Sequence, residues 1–418
     1  MINTFNKLHP KARRAVIKYA VFRAFAGAGF ATPFFVVFMV GNGVTYTDIA
    51  LGASLMAVVT VALEMPSGYI ADAVGRRRTM FLSQVFLGLG TVGYVVADGT
   101  LDVLALYLAF GIGTALRSGA GTAWFYDTLK QYGDEEQFAA VSGKIGSFVK
   151  YIITVTMLFG GILYLARPVS AIATGAAANL LAAPVVLTLP AGGDVESDDD
   201  TVGLREAVAL TKRFLTDPAV RTLLLVTALA SGAIYTGSKY VQPVAFGAIP
   251  DAGYSVAGFT VSAPLLVAGA YAVLEFSSGI ALNYAETVQL RLGLRGTVAV
   301  AYGGSALCML VPFIAPVLTI PAVIGMISLQ SLASPGVSQY INERAESVAR
   351  ATINSAKSFL TSALRVPVIL GSGVVADTVS PTVALAGVGT VFLASAGLIV
   401  LLDRPVFGPI MPSEASGD

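Results

Sequence analysis

The sequence predicts an all-α polytopic membrane protein with twelve transmembrane helices in two pseudo-symmetric six-helix bundles. Three observations lead there. The first is composition: of 418 residues, 55% are hydrophobic and only 12% are charged, with a mean hydropathy of +0.76, a balance outside the range of water-soluble domains. The second is length, since apolar runs of about 20 to 28 residues recur along the chain. That length crosses a bilayer as a helix and lacks the short alternation of an outer-membrane barrel. The third is an internal echo. Leu63-Glu64-Met65-Pro66-Ser67-Gly68 returns as Leu274-Glu275-Phe276-Ser277-Ser278-Gly279, with Asp72 and Asn283 at the same offset, where a parallel duplication of six spans places them.

In chain order, Met1 to Lys18 carries Lys7, Lys11, Arg13, Arg14 and Lys18 before an apolar run to Val40. The run is too long for a signal-peptide core and is read as a retained first span. Further spans are expected near residues 46–71, 79–97, 102–129, 141–165 and 168–189, and a second set near 220–247, 255–281, 296–314, 317–341, 350–376 and 381–403. The domains are accordingly residues 1–190, a linker at 191–218 and residues 219–418. The linker opens with Asp194, Glu196, Asp198, Asp199 and Asp200; Leu204, Val208 and Leu215 then recur at helical spacing, as in a surface helix.

Orientation follows from the basic residues. Arg76 to Arg78, Lys130, Arg205, Lys212, Arg213, Arg221, Arg291, Arg295, Arg344, Arg350 and Arg404 fall on the side of the amino terminus, and Arg167 on the other. Positive charge accumulates on the cytoplasmic side. A multi-pass protein of the cytoplasmic (plasma) membrane with both termini cytoplasmic is therefore expected.

Composition also narrows function. A net charge of +1 speaks against a nucleic-acid partner, and a single Cys308 and a single His9 leave no intrachain disulfide, histidine metal site or histidine triad. No nucleotide-binding loop with its lysine is present. The expectation is a protein that is not an enzyme, with no metal and no cofactor, whose partners are a small-molecule substrate, the proton and the lipid bilayer.

Charges within the spans carry the remaining information, because each costs about 2.5 to 3.5 kcal/mol at a helix centre and must face protein or water. They are Arg23, Glu64, Arg117, Lys150, Lys239, Glu275 and Arg365. Arg23 and Glu64 lie at comparable depth and could pair. Lys150 and Glu275 sit nearer the cytoplasmic face, where snorkelling also serves them. Arg117 and Lys239 are deeper; a cation beside a carboxylate there would tune a proton site. Glu64 and Glu275 are the candidate coupling carboxylates. The set leans positive, which favours an anionic or neutral solute over a cationic one.

The turn from Gly68 to Met80 reads Gly-Tyr-Ile-Ala-Asp-Ala-Val-Gly-Arg-Arg-Arg-Thr-Met. A glycine suits close helix approach, another suits the reversal, and the arginines suit a cytoplasmic loop. Through Gly68, Ala71, Asp72, Gly75, Arg76 and Arg77 it resembles the signature of the major facilitator superfamily (MFS), with Ile70, Ala73 and Met80 departing from it. The resemblance implies two six-helix halves and alternating-access transport of a small solute by a monomer. It also implies a gating cluster of Gly68, Asp72, Gly75, Arg76, Arg77 and Asp127. Arg117-Ser118-Gly119-Ala120-Gly121 resembles the superfamily's fourth-helix pattern, linked there to proton transfer. Tyr240-Val241-Gln242-Pro243, Gln330 with Pro335, and Arg350-Ala351-Thr352-Ile353-Asn354-Ser355 resemble prokaryotic drug-efflux-like members. Gly160-Gly161 lacks the Gly-Pro element of drug antiporters. The implied function is proton-coupled efflux by an antiporter; uptake of an organic acid or sugar, and a transport-dead sensor, are the alternatives.

Overall fold

The computed structural model describes residues 8–118, 120–190, 218–250, 253–256, 259–344 and 347–403. The expected linker therefore lies almost wholly outside the described residues. Nine helices among those described are long and apolar enough to cross a membrane. One of them, Ala263–Ile314, has 52 residues, roughly 78 Å at the rise of an α-helix, and holds two passes. With the broken first pass and Pro218–Gly247, the described helices make twelve.

Span 1 is Pro10–Ala26 continued, after a break, by Phe35–Gly41. Gly27, Gly29 and Pro33 fall in the break, where poor helix formers release the ladder. The freed groups find partners on other spans, as a bilayer requires. Thr156 Oγ1 accepts from the Gly29 amide at 2.8 Å, and Gln242 accepts from the Val36 amide and donates to the Thr32 carbonyl, both at 2.8 Å.

Spans 2 to 6 are Tyr46–Val74, Arg76–Val96, the pair Thr100–Arg117 and Ala120–Gln131, Phe138–Ala166, and Pro168–Leu187. Span 2 opens on a reciprocal cap between Thr45 and Asp48. Span 7 is Pro218–Gly247, and spans 10 to 12 are Thr319–Arg344, Ser347–Thr378 and Pro381–Asp403.

Span 8 departs from expectation at both ends. Residues expected to open it form a two-stranded antiparallel hairpin instead, β1 (Tyr254–Val256) with β2 (Phe259–Val261). These segments are rich in β-branched and aromatic residues and follow Gly253 at φ 71. The helix starts at Ala263 and runs past Asn283, so the expected loop from Asn283 to Arg295 is helical up to Gly293. There φ reaches 67 and the chain turns into span 9, a π-helical stretch Ala299–Gly303 leading to Gly304–Ile314.

Each half has its own core. Leu8, Trp124, Ile145 and Leu189 belong to a cluster built wholly from the first half, at the face where the described chain ends lie; Leu223, Met309, Met326 and Phe392 belong to the second half's cluster. At the opposite face a third cluster joins the halves, with Phe34, Tyr107 and Ile172 packed together with Ala268 and Ile369. Between halves, span 2 packs on span 11 and span 5 on span 8, as a parallel duplication requires. Gly373 lets span 11 lie on span 2: a Cβ there would sit 2.7 Å from the Ala50 Cβ. Gly160 and Gly161 serve the same purpose on span 5, admitting the Phe30 backbone of span 1 and Ala268 of span 8.

Candidate functional site

The two halves enclose a central cavity of about 520 Å³ walled by spans 2, 4, 7 and 11. Span 2 contributes Met56, Thr60, Val61 and Glu64; span 4 contributes Thr114, Ala115 and Ser118. From the second half come Ser231 and Tyr235 on span 7 and Ser358, Thr361, Ser362 and Arg365 on span 11. The wall is thus dense in hydroxyls, with one carboxylate and one guanidinium among its described lining residues.

Arg365 is positioned by packing. Gly232 on span 7 leaves room for its stem, since a Cβ there would approach the Arg365 Cβ to 3.2 Å. Its Cζ stands 4.2 Å from the centroid of the Tyr235 ring, and Lys239 Nζ stands 4.7 Å from the same centroid and 5.2 Å from that of Phe35. Tyr235 therefore serves two cations through its π face. The Arg365 Nε is buried without a hydrogen-bond partner among the described residues.

A second chamber of about 390 Å³ lies inside the first half and shares no lining residue with the central one. Tyr19, Arg23, Ser83, Arg117 and Thr122 line it. This separates Arg23 from Glu64, and the pair does not form: Arg23 Nη1 instead reaches the Tyr19 hydroxyl at 3.3 Å. Among the described residues no carboxylate lines the chamber beside Arg117 either; its charged neighbour there is Arg23. Thr114, Ala115 and Ser118 share one helical face, on the central cavity, and Arg117 falls off that face and lines the inner chamber. A groove of about 580 Å³ between spans 7, 9 and 12 is larger than either, but it is apolar along most of its length, with Leu223, Val298 and Phe392.

At the turn between spans 2 and 3, Gly75 takes φ 93 and caps span 3, a conformation that suits glycine. Gly68 meets nothing: a Cβ there would have no neighbour within 4 Å, so it marks no close helix crossing. Arg76 forms an ion pair with Asp127 on span 4. Arg77 Nη1 donates to the Leu189 carbonyl at 2.9 Å, joined at the end of span 6 by Lys18 Nζ on Thr188 O at 2.8 Å and Trp124 Nε1 on Pro190 O at 3.0 Å. Cations at a helix C-terminus satisfy its free carbonyls and its dipole. The Asp72 side chain lies outside the described residues.

Lys150 and Glu275, for which snorkelling was the alternative to facing protein, form an ion pair that joins span 5 to span 8 across the halves. Glu64 and Glu275 thus match in sequence yet differ in surroundings, one on the cavity wall and one bound to a lysine. Residues that sequence reasoning passed over include Tyr235 and Asp377. The Asp377 carboxylate on span 11 accepts from the Tyr46 and Thr47 amides at 2.8 and 2.7 Å and from the Thr47 hydroxyl at 2.5 Å, capping span 2 from the other half. Its position at the end of an apolar span was the available signal.

By sequence, the chain has no match among curated proteins. Its fold matches solved transporters closely. A mutant of the nucleoside transporter NupG superposes with a TM-score of 0.76 at 13% identity, over 94% of this chain and 99% of that one. A POT family transporter in complex with 5-aminolevulinic acid gives 0.66 at 13% identity, over 96% and 99%. A bacterial homolog of the human lysosomal transporter Spinster, inward-facing and unoccupied, gives 0.68 at 16% identity, over 94% and 97%. The Major Facilitator Superfamily profile matches residues 19–366. The chain belongs to the Major Facilitator Superfamily.

Proposed function

We propose that the protein is a proton-coupled secondary transporter that exports a small polar solute across the cytoplasmic membrane by alternating access. The observation that carries this reading is the central cavity, where Glu64 is the one carboxylate among the lining residues and shares the space with Arg365 and a ring of hydroxyls. Coupling needs a group whose proton affinity differs between the two open states, and a carboxylate on the wall that changes its solvent exposure provides one. Glu275, bound to Lys150, is the secondary candidate. The face holding the chain ends is cytoplasmic in this reading, consistent with the distribution of arginine and lysine. Asp72, Arg76, Arg77 and Asp127 set the balance between the two open states without touching solute, and the protein works as a monomer.

A second reading is uptake of a small anionic or neutral solute. The cations Lys239 and Arg365 around Tyr235 favour it, as does the density of hydroxyls. A fold neighbour is a nucleoside transporter and another was solved with 5-aminolevulinic acid, which supports a polar solute over an apolar drug.

A thermal-shift screen on the purified protein identifies a ligand, because a solute favouring the native state raises its apparent stability. Flux of that solute in proteoliposomes then tests coupling. Glu64→Gln is expected to abolish accumulation driven by a pH gradient while sparing exchange at equal pH. Unchanged accumulation would remove Glu64 from the mechanism, and accumulation against the opposite gradient would favour uptake.

A further inference from the structure

Among the described residues, the inner chamber of the first half is lined by two arginines and no acid. Arg23 on span 1 and Arg117 on span 4 line the same space of about 390 Å³, and the other polar lining groups, Tyr19, Ser83 and Thr122, are hydroxyls. Neither arginine takes part in the ion pairs of Arg76 with Asp127 and Lys150 with Glu275. Arg23 and Arg117 are both solvent-exposed on this wall, and two like charges facing one space repel one another, a cost that a bound anion lowers. The remaining walls include Phe22, Met80, Val149 and Ile153.

The backbone adds to the same field. The break at Ser118 starts a new helix at Ala120, and its first turn brings Gly121 and Thr122 onto the chamber wall. Free amides at a helix start favour negative charge.

We propose that this chamber is a binding site for a small free oxyanion of the phosphate, sulfate or carboxylate kind, held between the guanidinium groups of Arg23 and Arg117. Guanidinium forks match the oxygens of such anions in geometry and charge. The site is separate from the central cavity and does not rest on the transport reading.

The chain supplies its own reporter. Trp124 is its single tryptophan; its ring lies 5.3 Å from that of Tyr19, whose hydroxyl meets Arg23. Inorganic phosphate is titrated into the full-length protein in detergent, with chloride holding ionic strength constant, and tryptophan emission is read. A saturable, phosphate-specific change is expected, with apparent affinity at least tenfold weaker in Arg117→Gln, severalfold weaker in Arg23→Gln, largely kept in Arg117→Lys and unaltered in Arg365→Gln. If Arg117→Gln does not fold, Arg23→Gln against Arg117→Lys decides. Absence of a saturable response, or equal affinity across these variants, overturns the proposal. The same emission change in nanodiscs containing phosphatidylglycerol without added phosphate, and not in phosphatidylcholine alone, assigns the site to a headgroup and overturns the free ion.

Discussion

The two ends of the interface between the halves are built from different bonds. At the face away from the chain ends, the contacts reach backbone. Asp377 takes the first amides of span 2, and Gln242 fills the break in span 1 with a bond in each direction. Aromatic rings close the space around them, with Phe34 4.4 Å from Tyr164 and 6.3 Å from Phe246, and Tyr46 6.1 Å from Tyr240. Towards the chain ends the halves keep separate cores, and the ion pair between them, Lys150 with Glu275, has its lysine side chain 57% exposed. Loss of Gln242 strands the buried Val36 amide at a cost of about 1 to 3 kcal/mol, and the Asp377 carboxylate makes three charge-assisted bonds at the exposed start of span 2. An exposed ion pair contributes about 0 to 1 kcal/mol. The molecule is therefore held shut at one face by specific bonds and is lightly tied at the other, an arrangement suited to a cavity open towards the chain ends.

Asp377→Ala should disturb this asymmetry most, since it removes three bonds to span 2 at once. A shift of about tenfold or more towards states open at that face is expected, by the conversion of roughly 1.4 kcal/mol per decade. Spin labels at Asn42 and Val379 should report a longer distance population in the variant. Gln242→Ala comes next, because it strands the buried Val36 amide and the Thr32 carbonyl while the aromatic seal stays in place. A severalfold shift by the same labels would place it there; a shift larger than that of Asp377→Ala would mean that the span 1 break, and not the span 2 cap, is the principal closure.

At the other face, Asp127→Asn removes the partner of Arg76 at the turn between spans 2 and 3. Transport should fall severalfold while the amount of protein in the membrane is unchanged. A wild-type rate would leave the turn with a topogenic role alone. The smallest effect is expected from Lys150→Glu, with Glu275→Lys in the same chain restoring the pair. The single change should alter the distance between spans 5 and 8 by at most a few-fold in population and lose its effect in high salt, in keeping with a solvated pair.

Much of the architecture was legible. Span count, the reversal at Gly75 and the separation of basic loops follow from hydropathy, glycine and charge, all of which act locally. The breaks were less so. In span 1 Gly27, Gly29 and Pro33 announce a weak helix, yet that it opens depends on Thr156 and Gln242 from two other spans. In span 4 no proline marks the break at Ser118. Pairings were the least legible, because depth along a helix says nothing of azimuth. Arg23 and Glu64 match in depth and face different chambers; Lys150 and Glu275 each suit snorkelling and instead meet across the halves. The hairpin at Tyr254–Val261 was masked by apolar residues that suit strand and span alike.

The central claim is that a cavity between the halves opens to the face of the chain ends and is sealed from the other, and it can be tested before any solute is known. Thr361 lines that cavity. A cysteine there, in a Cys308→Ala background, is treated with a membrane-impermeant maleimide in vesicles of each orientation, with the side of the chain ends fixed by an epitope on the terminus. Labelling at least tenfold faster from the side of the chain ends is expected, and labelling from both sides once Asp377→Ala is added. Equal labelling from both sides without that change, or labelling from the far side alone, would contradict the account.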